Sequence, residues 1–167
     1  MRRIVVGVMG GAEADAPTAA LAHELGRLVA REGWVLLNGG RCTGVMEASA
    51  RGARDAGGLT VGILFDDDPA AASAALDIVI PTGLGAARNS VNVLASEVVF
   101  ACRGSGGTLS EVALALRFGR PVILVGFDPG DPFLALAGGE WYRTDSPAEA
   151  VAVARRCLQA RGRIAAT

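Results

Sequence analysis

Apolar residues recur along this chain with two different spacings, which alternate from one end to the other. Short runs rich in Val, Ile and Leu have the length of buried parallel strands, and longer segments between them carry apolar residues at helical spacing. The short runs predict strands at residues 3–8, 34–38, 60–65, 77–81, 98–102 and 121–126. The longer segments predict helices at residues 17–31, 44–56, 86–96, 108–118 and 147–161. This order predicts an α/β fold with a doubly wound, mainly parallel sheet and helices on both faces, formed by residues 1–167 as one domain.

The most informative turn between a strand and a helix covers residues 103–111, which read Arg-Gly-Ser-Gly-Gly-Thr-Leu-Ser-Glu. Glycine allows a ligand to approach the backbone closely, because no Cβ stands in the way. The helix that follows begins with free N–H groups and the positive end of a dipole, so a phosphate is the expected ligand. Glu111 lies one turn into that helix, where its carboxylate can face the same ligand. The alternative for a single turn of this kind is a tight turn with a helix cap.

Further glycine-rich turns follow other predicted strands, at residues 7–11, 39–44 and 81–89. Because parallel strands end at the same edge of a sheet, these turns predict one pocket rather than several. Arg88 follows the last of them and can grip a phosphate or carboxylate with two N–H groups, although a surface arginine is the alternative. The candidate ligand-binding residues are Gly10, Gly39, Gly40, Thr43, Gly44, Gly104, Ser105, Gly106, Gly107 and Thr108.

Missing residues exclude several kinds of chemistry. The chain has no lysine, which excludes a pyridoxal phosphate enzyme and a P-loop. The first turn lacks the Gly-x-Gly-x-x-Gly pattern of classical NAD binding. No metal site is predicted: the single histidine, His23, lies off the apolar stripe of its helix and is expected at the surface. The adjacent carboxylates at residues 66–68 are expected in a solvated loop, with a Mg²⁺ site as the alternative.

Charge and composition indicate a small-molecule partner. The net charge of −1 provides no general attraction to nucleic acid or to acidic membranes. No apolar run approaches the ~18 residues of a membrane span, and the first residues lead into a strand without a signal-peptide pattern, so a cytoplasmic protein is expected. Cys42 lies in a candidate ligand loop, where it is either inert or a reactive thiol, and Cys102 is expected in the core. Residues 161–163 are expected to be frayed.

Three motifs together resemble the superfamily that joins Lonely Guy-type cytokinin phosphoribohydrolases with molybdenum-cofactor carrier proteins. They are Gly-Gly-x-x-x-Gly-x-Met-Glu at residues 39–47, Thr-Gly-x-Gly-x-x-Arg-Asn at residues 82–89, and the loop that ends at Glu111, which matches the family signature Pro-Gly-Gly-x-Gly-Thr-x-x-Glu. The resemblance covers nearly the whole chain. It implies a Rossmann-like fold, a homodimer or higher homo-oligomer, and a phosphate-bearing nucleotide-type or molybdopterin-type ligand, with no other cofactor required.

The chain departs from the family patterns at three positions, and the one after the helix arginine favours the carrier branch. Arg103 stands where the family has Pro, and Ser105 stands where it has the second Gly. Hydrolases of the cytokinin type usually have Lys after the helix arginine, whereas this chain has Asn89. Arg88, Thr108 and Glu111 nevertheless match positions that carry catalysis in the hydrolase branch.

Two functions follow from the resemblance. In the first, the protein holds a nucleoside monophosphate or a molybdopterin-like ligand without turnover, as a carrier or sensor. In the second, it is a phosphoribohydrolase that cleaves the N-glycosidic bond of a nucleoside monophosphate, with Arg88 and Glu111 as catalytic residues. Some family members were once labelled lysine decarboxylases, a reaction that is not expected of this chain.

Overall fold

A single seven-stranded parallel sheet organises the chain, seen in a computed structural model that describes residues 2–165. The strands are β1 (Val5–Met9), β2 (Val35–Asn38), β3 (Thr60–Leu64), β4 (Ile78–Pro81), β5 (Val98–Ala101), β6 (Val122–Val125) and β7 (Trp141–Thr144). Their spatial order is β4-β3-β2-β1-β5-β6-β7, and every neighbouring pair is parallel. The predicted α/β, Rossmann-like, doubly wound fold is therefore confirmed. Met1 and residues 166–167, which the single-domain prediction includes, lie outside the described residues.

Helices cover both faces of the sheet. They are α1 (Ala16–Arg31), α2 (Gly44–Asp55), α3 (Arg88–Ala95), α4 (Gly106–Arg117), α5 (Asp131–Ala137) and α6 (Pro147–Ala160). Buried residues of α1, α2 and α6 form one apolar core with the sheet, and those of α3, α4 and α5 form the other. Among the residues that the structure describes, no helix is long and apolar enough to cross a membrane.

The order of the strands reverses beside β1. From β1 the chain moves outward through β2, β3 and β4, and then returns to place β5 on the other side of β1. The loops that follow β1 and β5 therefore leave the sheet in opposite directions. In doubly wound sheets this divergence opens a crevice at the carboxyl ends of the strands, where ligands bind.

Helices α1 and α2 pack closely because each has a glycine at the contact. A Cβ at Gly26 would lie 2.1 Å from the carbonyl oxygen of Ser49, and a Cβ at Gly52 would lie 1.9 Å from that of His23. No side chain fits at either position. This contact explains two glycines inside helices, where glycine otherwise lowers helix stability.

The sequence pattern did not predict β7 or α5. Strand β7 is an edge strand whose residues are only partly covered, so it lacks the apolar run of a buried strand. Helix α5 has only seven residues, too few for a helical period to stand out. The predicted helix at residues 86–96 begins at Arg88, after a short 3₁₀ turn at Gly85–Ala87.

The prediction that residues 161–163 are frayed is wrong. Arg161 donates from Nη1 to the carbonyl oxygen of Gly119 at 2.9 Å and from Nη2 to Glu140 at 2.7 Å. Arg163 donates to the carboxylate of Glu97 through Nε and, at 2.9 Å, through Nη2. These contacts join residues 161–163 to the edge of the sheet where the strands begin. Local composition does not predict them, because the partners are distant in the sequence.

Candidate functional site

Two adjoining hollows lie where the strands end. The inner cavity has a volume of about 90 Å³, and the outer cleft has a volume of about 670 Å³. The inner cavity is lined by Val8, Met9, Gly10, Gly11, Ala12, Gly39, Met46, Arg88, Asn89, Ser105, Gly107, Thr108 and Glu111. The outer cleft is lined by residues 11–15, Thr18 and residues 103–105. The cleft has the size of a small-molecule site, whereas the inner cavity has room only for a small group.

The structure brings most of the predicted site residues together. Seven line the inner cavity, namely Gly10, Gly39, Arg88, Ser105, Gly107, Thr108 and Glu111. Gly104 lines the outer cleft, as does Ser105. Four predicted residues, Gly40, Thr43, Gly44 and Gly106, line neither hollow.

The residues outside the lining shape the loops. Gly40 and Gly44 have φ values of +79° and +55°, in the left-handed region that favours glycine. A Cβ at Gly44 would also lie 2.2 Å from the carbonyl oxygen of Gly11, so this glycine lets the loop after β1 rest on the start of α2. Thr43 precedes α2 as an exposed N-cap residue and makes no side-chain cap bond.

Helix α4 begins at the junction of the two hollows. Its first backbone bond runs from the N–H of Leu109 to the carbonyl of Ser105, at 3.1 Å. Within residues 2–165, the N–H groups of Gly106, Gly107 and Thr108 have no acceptor. These free donors and the helix dipole favour an anion at this place.

Gly104 allows the loops after β1 and β5 to meet. A Cβ at this position would lie 2.0 Å from Thr108 Oγ1 and 2.8 Å from the backbone nitrogen of Gly11. The N–H of Gly11 in turn donates to the carbonyl of Arg103 at 3.1 Å. At the mouth, Arg103 Nη1 lies 3.9 Å from a carboxylate oxygen of Asp15, and both side chains are largely exposed. The two loops therefore form one continuous wall.

Arg88 braces the ends of two strands as well as lining the cavity. Its Nη1 donates to the carbonyl of Gly39 at 2.8 Å and to the carbonyl of Ile63. Burial lowers the pKa of Arg88, and the nearby carboxylate of Glu111 opposes this shift. Its Nε is buried without an acceptor in the described part of the chain. The sequence pattern predicts an arginine in the crevice but not its two carbonyl partners, which lie in a loop and a strand far away in the chain.

Glu111 is 7% exposed and receives one hydrogen bond, from Asn92 Nδ2 to Oε1 at 3.0 Å. Burial raises the pKa of Glu111 to about 7, although Asn92 and Arg88 both act to lower it. The carboxyl group is therefore poised to take up or release a proton near neutral pH. Asn92 was not predicted, but it lies four residues after Arg88 on α3, on the same helical face.

The ring of Phe65 contacts two arginine side chains near the inner cavity. Its ring centroid lies 4.2 Å from Arg41 Cζ and 5.9 Å from Arg88 Cζ, both within the range of cation–π contacts. Arg41 also pairs with Asp66, with 3.3 Å between Nη2 and Oδ2. Asp66 is therefore not simply solvated, as was expected, because its carboxylate takes part in this cluster.

The remaining predictions concern single side chains. Asp68 accepts a bond from the N–H of Ala70 and caps a short 3₁₀ turn. His23 is partly exposed, and its Nε2 lies 3.1 Å from Asp55 Oδ2. Cys42 is exposed and Cys102 is buried in the core, where burial raises the pKa of its thiol to about 12.

Known proteins share this architecture. The model of the SLOG cluster4 family matches residues 3–152. The molybdenum cofactor binding protein of Rippkaea orientalis is 46% identical, with a TM-score of 0.91 over 95% of this chain and 99% of that chain. The molybdenum cofactor carrier protein of Chlamydomonas reinhardtii is 40% identical, with a TM-score of 0.84 over 94% of this chain and 99% of that chain. An uncharacterized protein of Archaeoglobus fulgidus is 43% identical over 122 residues, which are 73% of this chain and 80% of that protein. The chain therefore belongs to the SLOG cluster4 family, and the resemblance drawn from its motifs is confirmed.

Proposed function

We propose that this protein binds a molybdopterin-type ligand in the manner of a carrier and holds the phosphate of that ligand at the start of α4. The observation that carries this proposal is the set of free N–H groups at Gly106, Gly107 and Thr108, at the start of the helix whose Gly107 and Thr108 line the inner cavity. The similarity to two molybdenum cofactor proteins over nearly the whole chain supports the choice of ligand.

The sizes of the two hollows suggest how the ligand lies. A phosphate fits the inner part beside Thr108 and Arg88, because the inner cavity of about 90 Å³ is too small for a pterin. The ring system then occupies the outer cleft of about 670 Å³. Arg88 and Arg103 supply positive charge for an anionic ligand. Gly11 and Gly104 have no side chains, so they leave room for the ligand between the outer cleft and the inner cavity.

A substitution at Gly107 tests this proposal. A Cβ at this position would have no atom within 4 Å, and its φ is not in the left-handed region, so Gly107→Val is expected to fold normally while filling the space that the phosphate needs. The matched control is Ala148→Val, which changes the second residue of α6, an exposed position equivalent to Gly107 in α4. Both variants and the wild type are purified from a host that makes molybdenum cofactor.

Mass spectrometry of the extracted small molecules then provides the readout. We expect a molybdopterin-derived compound with the wild type and with Ala148→Val, and at least tenfold less with Gly107→Val. Equal amounts in all three proteins, or none in the wild type after incubation with the cofactor, would contradict the proposal.

The burial of Glu111 favours hydrolysis of a nucleoside monophosphate as a second candidate. A carboxyl group with a pKa of about 7 can orient or deprotonate water at neutral pH, as cleavage of an N-glycosidic bond requires. Arg88 would balance the charge on the phosphate or on the leaving base. An assay with AMP measures free adenine and ribose phosphate. The hydrolase predicts turnover that Glu111→Ala lowers by ~10²-fold or more, whereas the carrier predicts no turnover with any purine or pyrimidine monophosphate.

A further inference from the structure

A second cleft, here called the basal cleft, lies at the opposite edge of the sheet, where the strands begin. Its volume is about 510 Å³. It is lined by Arg2, Arg3, Val5, Leu94, Ala95, Glu97, Arg120, Leu158, Arg161 and Arg163. These residues come from the start of β1, the ends of α3 and α6, and the connection from α4 to β6. It is therefore separate from the hollows at the carboxyl ends of the strands.

Positive charge is concentrated in the basal cleft. Five of the 16 cationic residues of the chain line it, together with a single carboxylate, Glu97. The whole chain has a net charge of −1, so this concentration is local and does not follow from composition. Guanidinium groups that converge on a cavity favour anions with several oxygens.

Internal contacts account for only part of this charge. Arg163 pairs with Glu97, and Arg161 pairs with Glu140. Arg120 donates from Nη2 to the carbonyl of Leu94 at 3.0 Å, which caps the end of α3. Such capping explains Arg120 and Arg161, but it does not explain why two more arginines lie at the same place.

Arg2, Arg3 and Arg120 leave positive charge without an opposite partner of their own. The Nη2 of Arg2 lies 3.9 Å from Glu97, which Arg163 already binds in a bidentate manner. Arg3 is exposed and makes neither an ion pair nor a hydrogen bond with any side chain of residues 2–165. The Nε of Arg120 is buried and has no acceptor in that same range.

We propose that the basal cleft binds a small anion of the polyphosphate class, at a site independent of the carrier site. Arginine forks match the geometry of phosphate oxygens and can bind them in a bidentate manner. The volume lies within the range of small-molecule sites. Val5 and Leu94 line the cleft beside the guanidinium groups, and Leu94 is 51% exposed, so the non-phosphate part of a phosphorylated compound can pack against it.

Calorimetric titration of the full chain with inorganic tripolyphosphate tests this proposal. We expect one saturable site per chain, and affinities at least tenfold lower in Arg2→Glu and in Arg3→Glu. Arg3 makes no ion pair within residues 2–165, and Arg2 approaches Glu97 only at 3.9 Å with an exposed side chain, so both variants are expected to keep the melting temperature of the wild type. The matched control is Arg156→Glu, an exposed position on α6 outside the cleft with the same change in charge.

The outcomes separate the two sites of the protein. Unchanged affinity in Arg156→Glu and in Gly107→Val, with the loss confined to Arg2→Glu and Arg3→Glu, supports the basal cleft whether or not the carrier proposal holds. No saturable binding at millimolar tripolyphosphate would overturn the proposal. An equal loss in Arg156→Glu would also overturn it, since it would indicate general charge attraction, and a loss in Gly107→Val would assign the binding to α4 instead.

Discussion

At the scale of single residues, burial governs the ionisation of Glu111. The side chain is 7% exposed, and removal from water raises its pKa from 4.5 to about 7 against the opposing influence of Asn92 and Arg88. The folded protein therefore holds this proton over a range of pH in which the unfolded chain has already released it. This difference links protonation of Glu111 to the free energy of unfolding.

Stability is expected to fall as pH rises from about 4.5 to about 7, because the unfolded chain then gains from ionising Glu111 while the folded protein does not. The stability linked to the protonated Glu111 is fully present below pH 4.5, and its loss lowers the free energy of unfolding by an amount on the order of 3 kcal/mol. Urea unfolding at pH 5 and at pH 8 measures it, and Glu111→Gln should remove this share of the pH dependence.

The control for this measurement is Glu24→Gln. Arg27 holds the pKa of Glu24 below its ordinary value, so Glu24 is ionised throughout this range of pH and its replacement should leave the dependence unchanged. An identical pH dependence in wild type and Glu111→Gln would show that Glu111 does not titrate in this range.

Arg88 is expected to contribute to stability apart from any ligand. Arg88→Ala removes the bonds from Nη1 to the carbonyls of Gly39 and Ile63, and charge-assisted bonds of this kind are worth ~1.5–3 kcal/mol. We expect a loss of this size in the free energy of unfolding without ligand. Arg51→Ala, at a side chain that is 68% exposed, should change it by less than ~0.5 kcal/mol. Equal values for both variants would contradict the bracing role of Arg88.

At the scale of elements, the contact between α1 and α2 depends on the absence of two side chains. Gly52→Ala places a Cβ 1.9 Å from the carbonyl oxygen of His23, and rotation of a side chain cannot relieve an overlap with backbone. We expect a loss of ~1–3 kcal/mol on chemical denaturation, despite the better helix propensity of alanine. A gain in stability, as alanine gives in an exposed helix, would mean that the two helices are not in contact at this point.

At the scale of the whole molecule, apolar side chains remain exposed on α3 and at the end of α4. Val91 and Phe118 are 37% and 43% exposed. The resemblance implies a homo-oligomer, and we predict that this surface is part of a dimer interface. Light scattering should report a dimer at micromolar concentration, and Val91→Arg should shift it toward monomer.

Ala20→Arg provides the control for this prediction. Ala20 is exposed on α1, whose buried residues pack on the opposite face of the sheet from α3 and α4, and its replacement should leave the molar mass unchanged. A wild-type monomer at the same concentration would refute the predicted interface.

Local patterns were sufficient to predict most of this fold. Five of the seven strands are buried, and the edge strand β4 has an apolar sequence although it is exposed, so six apolar runs stand out in the chain. The glycine turns after these strands meet at one edge because all the strands run in the same direction, so parallel pairing alone brings Arg88 and Glu111 to one cavity. Elements without such a pattern, β7 and α5, were missed for the same reason.

The hydrogen bonds and charges at both sites depend on residues that are far apart in the chain. Arg88 binds carbonyls that lie 49 and 25 residues away, and Asn92 contacts Glu111 across two helices. The five arginines of the basal cleft likewise come from both ends and the middle of the chain. Periodicity and turn residues act between neighbours, and they were enough to specify the elements, their order and the edge that carries the glycine loops. Burial and pairing act between distant segments, so only the folded chain decided which arginines are braced, which remain unpaired, and at what pH Glu111 releases its proton.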